Sequence, residues 1–403
     1  MALLAVASLL AARAASAAEP GESLTISLLT MGPGEHPFTK FGHTAIWVHD
    51  AQTGRDEVYN FGTFAFDSPT LLLDSIQGKL PYWLSVQSLR GTLRSYGEAQ
   101  RSLLASELEL TPPERELLYA NLQTNERPEN RFYRYDYYRD NCATRVRDAI
   151  DHVLGGRIFA ASQTAARMTF RAHTLRLVAD DAPLYAALDL AVGRRTDAPI
   201  TFWDEGFLPA RLRDLMLNTT VLHGGQKLPL VRNEQLLLPA SLPLPRAQPP
   251  EWLGLYLRAG MAVGALLAAL GLVAHYKAAL RTALGVAFTV LGLVFGLLGC
   301  ALCYLTFISL HSAAAADYNV LLVPPWLLFF VGLAPSMVRG KPWAWVLARW
   351  LTGSALLCVV GAICVHAVQR YPQQNWQEIC FALPLWLGAA AAAQLASTKL
   401  VRS

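Results

Sequence analysis

The chain has 403 residues, of which 53% are hydrophobic and only 16% charged, with a net charge of +4. So small a charged share, with a mean hydropathy of +0.29, excludes a chain that meets only water and points to lipid contact. The low net charge makes no case for a nucleic-acid partner.

Residues 1–18 read as an export signal, with a short apolar core over residues 3–12 and a small-residue cleavage site at Ala15-Ser16-Ala17. No Lys or Arg precedes that core, so the segment is either cleaved near Ala17 or Ala18 or kept as an anchor. Residues 19–237 carry most of the charges and form a domain able to fold in water. Residues 24–30 read as a buried strand. Residues 41–49 alternate as a second, with His43, Ala45, Trp47 and His49 on one face. A turn at Thr53-Gly54 leads into a return strand over residues 57–61. The apolar helix over residues 71–76, and residues 80–84 with Tyr82 and Trp83, suit either a lipid interface or an ordinary core. Thr111-Pro112-Pro113-Glu114 has capping-box spacing and opens a helix that runs to about Thr124. Residues 131–138 are extended and aromatic, a strand with tyrosines on one face rather than a nucleic-acid stacking surface. They run into Asp140-Asn141-Cys142, where Asp140 or Asn141 caps the next helix. Val146, Ala149, Ile150, Val153 and Leu154 give that helix its apolar face, and Gly155-Gly156 ends it.

Residues 238–251 are rich in proline and mark a linker. Beyond it, residues 252–403 hold apolar runs of the length a bilayer demands, about 20 residues each. Five are counted, at roughly 252–274, 283–310, 320–338, 343–368 and 379–396. Pro324-Pro325 and Pro335 interrupt the third. Lys277 and Arg281, Arg339 and Lys341, and Lys399 and Arg402 fall on one side of this arrangement. That places the C-terminus in the cytoplasm and residues 19–237 on the far side of the membrane. Gly292 and Gly296, four apart, allow close helix packing.

Cys142 alone among six cysteines lies outside a hydrophobic span; Cys300, Cys303, Cys358, Cys364 and Cys380 read as small packing residues. An exported thiol without a disulfide partner is either buried or used. At the first turn of a helix it meets unpaired N–H groups and the positive dipole end, and Arg139 and Arg145 add to a setting that favours thiolate. Such a nucleophile needs a base, and the base an orienting group. His36, His43, His49, His152, His173 and His223 are available. His152 lies about 15 Å from the helix start at 1.5 Å per residue, which excludes it. His49 is about 20 Å along the strand from His43 at ~3.3 Å per residue, so one of those two is off-site. His43, behind Gly42 and held by its strand, is the stronger, with Tyr59 or Asn60 on the neighbouring strand to orient it. Asn141, Arg145, Tyr82 and His311 are candidate substrate-binding residues. His36, His43, His49 and Cys142 match no zinc-ligand spacing. No metal or cofactor is implied.

Five blocks stand in order: Phe41-Gly42-His43-Thr44-Ala45-Ile46, Val58-Tyr59-Asn60-Phe61-Gly62-Thr63, Gly78-Lys79-Leu80, Glu129-Asn130-Arg131-Phe132-Tyr133-Arg134-Tyr135-Asp136 and Asp140-Asn141-Cys142 with Thr144-Arg145. Together with Gly206-Phe207-Leu208-Pro209 and the loop 311–319, they resemble the Lnb family of bacterial membrane-bound lipoprotein N-acyltransferases. The resemblance implies an α+β domain of permuted papain-like fold, similar in plan to the NlpC/P60 and lecithin:retinol acyltransferase groups, followed by an all-α bundle of five transmembrane helices. It also implies that His43 activates Cys142, with Tyr59 or Asn60 as third member. The reaction implied moves a fatty acyl chain from a phospholipid donor, through a Cys142 thioester, to the N-terminal amine of a diacylated lipoprotein. A cell-wall cysteine peptidase of the NlpC/P60 type is the alternative, and a non-enzymatic partner with a merely buried Cys142 is a third.

Overall fold

The computed structural model describes residues 19–65, 67 and 69–402, so the export-signal segment lies outside the described residues. The soluble part is built on one antiparallel sheet of seven strands, in the order β6-β4-β3-β2-β1-β5-β9. These are β1 (Leu24–Met31), β2 (His43–Asp50), β3 (Arg55–Thr63), β4 (Pro81–Ser88), β5 (Leu103–Leu108), β6 (Phe132–Arg134) and β9 (Val231–Leu238). β7 (Thr220–His223) and β8 (Gln226–Pro229) form a separate hairpin. β1 lies between β2 and β5 and is buried at every residue but Thr25, so both of its faces carry buried apolar side chains and its sequence alternates poorly. The last strand pairs Leu238 with Leu103 and closes the sheet where the proline-rich segment begins.

Helices cover both faces. α1 (Leu71–Gln77) leads into β4, and α2 (Leu89–Glu98) packs Leu89, Leu93 and Tyr96 over Leu29, Met31, Ala45 and Val58. On the other face, α3 (Pro112–Glu126) and α4 (Cys142–Val153) bury Leu118, Leu122, Val146 and Ile150 against Ile26, Leu28 and Ile46. The remaining helices are α5 (Arg157–Ala161), α6 (Phe170–Leu177), α7 (Ala182–Ala191), α8 (Phe202–Glu205) and α9 (Pro209–Leu217). The Thr111–Glu114 capping box forms as its spacing indicates.

The aromatic run over residues 131–138 is not one strand. It pairs only through Arg134 and then turns. Asp136 is the cause: its Oδ1 accepts the N–H groups of Tyr138 and Arg139, both at 3.0 Å, which bends the chain into the start of α4.

Five segments are long and apolar enough to cross a bilayer. Four are single helices: α10 (Leu253–Val273), α11 (Ala278–Phe307), α13 (Pro342–Val368) and α14 (Trp376–Arg402). The third segment has two 3-10 turns before its helix, α12 (Phe329–Val338), because Pro324-Pro325 stops a continuous helix. That broken backbone presses on the small-residue face of α11, where a Cβ at Gly292 would lie 2.6 Å from the carbonyl of Leu327. Gly264 and Gly388 likewise let α10 and α14 approach closely.

The soluble domain sits on the bundle's loops 311–319 and 369–375. The Gly193 N–H donates to the carbonyl of Ala313 at 2.7 Å, and Asn319 Nδ2 donates to the carbonyl of Leu190 at 2.9 Å. Beneath these contacts Arg171, 2% exposed, meets Asp189 at 2.9 Å and Asp197 at 3.0 Å. At the far end of the bundle Arg281 Nε donates to the carbonyl of Val338 at 3.2 Å, bringing together the two basic turns around Lys277 and Lys341.

Candidate active site

At the seam between domain and bundle lies a mostly apolar cavity of about 380 Å³. This is a size suited to a small organic ligand. Cys142 and His43 both line it, with Tyr82, Tyr135, Asn141 and His311. α4 brings Cys142 there, because Asn141 is its N-cap. Asn141 Oδ1 accepts from the N–H groups of Ala143 at 2.8 Å and Thr144 at 2.9 Å. The Asn141 amide nitrogen donates to the carbonyls of Tyr137 at 2.8 Å and Phe207 at 2.9 Å. Asn141 therefore faces the cavity with its polar atoms already engaged, and its place is to fix the helix start.

β2 brings His43. Gly42 before it has φ +80°, and a Cβ there would meet the carbonyl of Met31 at 2.8 Å, so the chain enters the strand by a path that suits glycine. His43 Nε2 lies 3.3 Å from Asn60 Oδ1, while Asn60 Nδ2 donates to the carbonyl of Val58 at 3.1 Å. That second bond orients the amide, so His43 Nε2 carries the proton and Nδ1 is the basic nitrogen. The pKa of His43 is lowered to about 4, by burial first and by the positive charge of Arg101 second, against the raising effect of the Asn60 hydrogen bond.

Tyr59, the other candidate to orient His43, does not face it. Strand alternation turns Tyr59 to the opposite side of the sheet, where its hydroxyl donates to Glu57 at 3.0 Å beside that of Tyr119.

Cys142 is not the low-pKa thiol its helix-start position leads one to expect. Burial pushes the thiol up and outweighs hydrogen bonds from the Thr44 N–H, the Tyr135 hydroxyl and the N–H groups of Ala143 and Cys142. Arg145 does not line the cavity: Asp140 holds its guanidinium at 2.6 and 2.9 Å, and it stacks 3.6 Å from the Tyr133 ring centroid, behind the wall. The resting pair is thus a neutral thiol and a neutral imidazole.

Tyr82 is part of the wall and stacks on Tyr135 with centroids 4.4 Å apart. Trp83, its neighbour, is half-buried against Phe132. His311 also lines the wall, stacked on Tyr137, with its Nε2 2.8 Å from the carbonyl of Ser75.

Two residues escaped the reading of the sequence. Tyr135 hydrogen-bonds the Cys142 sulfur. Gly62, at φ +90°, makes room for it, since a Cβ there would lie 3.3 Å from the Tyr135 ring and 3.6 Å from Cys142 Cβ. Tyr135 stood in a quoted block, two residues from Tyr133 on an alternating run, and that spacing was its available signal. Arg101 is buried behind His43, with Nε donating to the carbonyl of Gly32 at 2.8 Å. It precedes β5 as an isolated arginine and carried no signal. Among the described residues no group of three or more His, Cys, Asp or Glu is arranged to hold a metal ion, and all six cysteines are unpaired.

Fold and site define a multi-pass membrane protein with a Cys and a His facing one apolar cavity where its soluble domain meets its apolar helices. Two family models match the chain in order, the Lnb N-terminal periplasmic domain over residues 12–181 and the Lnb transmembrane domain over residues 259–399. The chain belongs to the Lnb family, whose domains mark a membrane protein of the lipoprotein N-acyltransferase type. No curated protein and no solved structure matches it.

Proposed function

We propose that the protein transfers a fatty acyl chain from a membrane phospholipid to the N-terminal amine of a diacylated lipoprotein, through a thioester on Cys142. The observation that carries this reading is the apolar cavity shared by Cys142 and His43, which has Leu305 of α11 in its wall. A hydrolase of polar cell-wall peptides has no use for such a chamber. Basic turns at Lys277, Arg281, Arg339 and Lys341 support an orientation with those turns in the cytoplasm and the soluble domain in the periplasm of the inner membrane. The domain itself fits a permuted papain-like plan, with the histidine strand before the cysteine helix.

His43 Nδ1 takes the proton from Cys142 Sγ as the sulfur attacks the ester carbonyl of the donor. The tetrahedral oxyanion is held by donors close to the sulfur. The Ala143 and Thr144 N–H groups already serve Asn141, so the Cys142 N–H and the Tyr135 hydroxyl are the best placed. Collapse breaks the ester C–O bond, and the leaving lysophospholipid oxygen takes the proton from His43. The acceptor amine then attacks the thioester, His43 removes its proton, and the proton returns to the departing Cys142 thiolate. Asn60 keeps the imidazole in one tautomer throughout.

The test is the intact mass of detergent-purified protein incubated with phosphatidylethanolamine, beside Cys142→Ser. A fatty-acyl increment on the wild type, removed by hydroxylamine and absent from the variant, is expected. No adduct with several phospholipids, together with cleavage of muropeptides, would replace this reading by the peptidase.

A further inference from the structure

Helix α1 is the most apolar exposed surface of the soluble domain beside the cavity. Leu72 is 74% exposed and Leu73 54%, with Ile76 exposed on the next turn. Single exposed leucines are ordinary, but three on a seven-residue helix form a patch that calls for a partner. The helix is tied to the end of a membrane-spanning segment. The Leu310 N–H donates to the carbonyl of Gln77 at 2.9 Å, and His311 Nε2 lies 2.8 Å from the carbonyl of Ser75. Beside that joint, the last residues of α11 and those after it, Phe307, Ile308 and Leu310, are also exposed and apolar. The exposed apolar residues of α1 are thus joined to those at the end of the bundle's second helix. Lys79, exposed just beyond α1, offers a cation beside this apolar patch, the pairing that suits a lipid headgroup.

The cavity touches the same joint. Leu305, in the last turn of α11, and His311, which holds α1, both line it. The chamber at Cys142 therefore shares a wall with the end of a segment long and apolar enough to cross a bilayer.

Resting on the acyl-transfer reading above, we infer that α1 is seated in the outer leaflet and that the acyl donor reaches Cys142 sideways from the bilayer, between α1 and the end of α11. Water is not on this route. A donor held in a bilayer should depend on α1, whereas a water-soluble ester that reaches the cavity directly should not.

The experiment uses the full chain in phosphatidylethanolamine vesicles and follows Cys142 acylation by intact mass, with p-nitrophenyl butyrate as the soluble donor in parallel. The triple variant Leu72→Gln, Leu73→Gln, Ile76→Gln should acylate from vesicles at least about tenfold more slowly, from the loss of apolar contact area. Its rate with p-nitrophenyl butyrate should stay within about twofold of wild type, since α1 makes no part of the cavity wall. A second variant, Leu72→Trp with Leu73→Trp, keeps an interfacial surface and should retain the vesicle rate. Unchanged vesicle rates in the glutamine variant would overturn the inference. So would an equal loss with both donors shared by the tryptophan variant, because α1 would then be serving the fold. If the wild type takes an acyl group from the soluble ester but never from vesicles, the inference falls while the thiol site stands. If Cys142 takes none from either, the acyl-transfer reading itself fails.

Discussion

His43 Nε2 and Asn60 Oδ1 lie 3.3 Å apart across β2 and β3, and the other end of the Asn60 amide is committed to its own strand at the carbonyl of Val58. This contact fixes which imidazole nitrogen carries the proton. Asn60→Ala should slow thioester formation by about 10- to 100-fold, since the ring loses its tautomer and its orientation together. Asn60→Asp should keep more activity and move the acid limb of the pH profile upward, because a carboxylate beside His43 favours imidazolium. Single-turnover acylation rates for the two variants check both statements.

The depressed pKa of His43 makes a second prediction. General-base action needs the neutral ring, so kcat/KM should persist as pH falls below 6.5 and be lost only on passing through about 4. Arg101→Gln removes a positive neighbour, so the limb should move to higher pH, with burial still holding it below 6.5. Stability follows the same sign. The unfolded chain binds the proton first, so His43 costs the fold stability as pH drops from 6.5 towards 4. A pH profile of kcat/KM for wild type and Arg101→Gln tests the assignment.

Tyr135 donates to the Cys142 sulfur, and its hydroxyl has two consequences. Tyr135→Phe should raise the pH at which iodoacetamide alkylates Cys142, because one group that lowers the thiol pKa is gone. If the same hydroxyl also meets the oxyanion, acylation should fall by about 10²-fold, the usual effect of removing one such donor. Alkylation against pH and acylation against time separate the two effects.

Among the described residues, Arg171 is the one cation directly bonded to Asp189 and Asp197 under the joint between the domains. Arg171→Met would leave buried carboxylates uncompensated and should cost about 3–5 kcal/mol. Burial already raises the pKa of Asp197, so the deficit should narrow as pH is lowered to 5 and Asp197 takes up a proton. Thermal unfolding in detergent at the two pH values measures this.

The parts of the fold that were legible in the sequence share one property: their signal is local. The capping box at Thr111, the apolar face of α4 and the long apolar runs each follow from residues within a few turns of one another. The third span was marked by Pro324-Pro325, and its break is where those prolines stand. What stayed hidden depends on partners distant in sequence. The choice between Asn60 and Tyr59 turned on which face of the sheet holds His43, and alternation from a known anchor decides it. The thiol pKa was misread because helix position is local whereas burial is not. The electrostatic weight of Arg101 arises only once β5 lies two strands from β2. Nothing near Asn141 in sequence announces its bond to the carbonyl of Phe207, 66 residues on.

The chamber at Cys142 takes its walls from both segments that the two family models describe: His43 and Cys142 from one, Leu305 and His311 from the other. Neither half encloses a complete vessel. Cutting the chain in the proline-rich segment over residues 238–251 would yield one piece with Cys142 and His43 open to water and a helical piece with neither. The boundary drawn in sequence is therefore a poor place to divide the protein for biochemistry. A substitution on either side of that boundary can therefore reshape the same chamber.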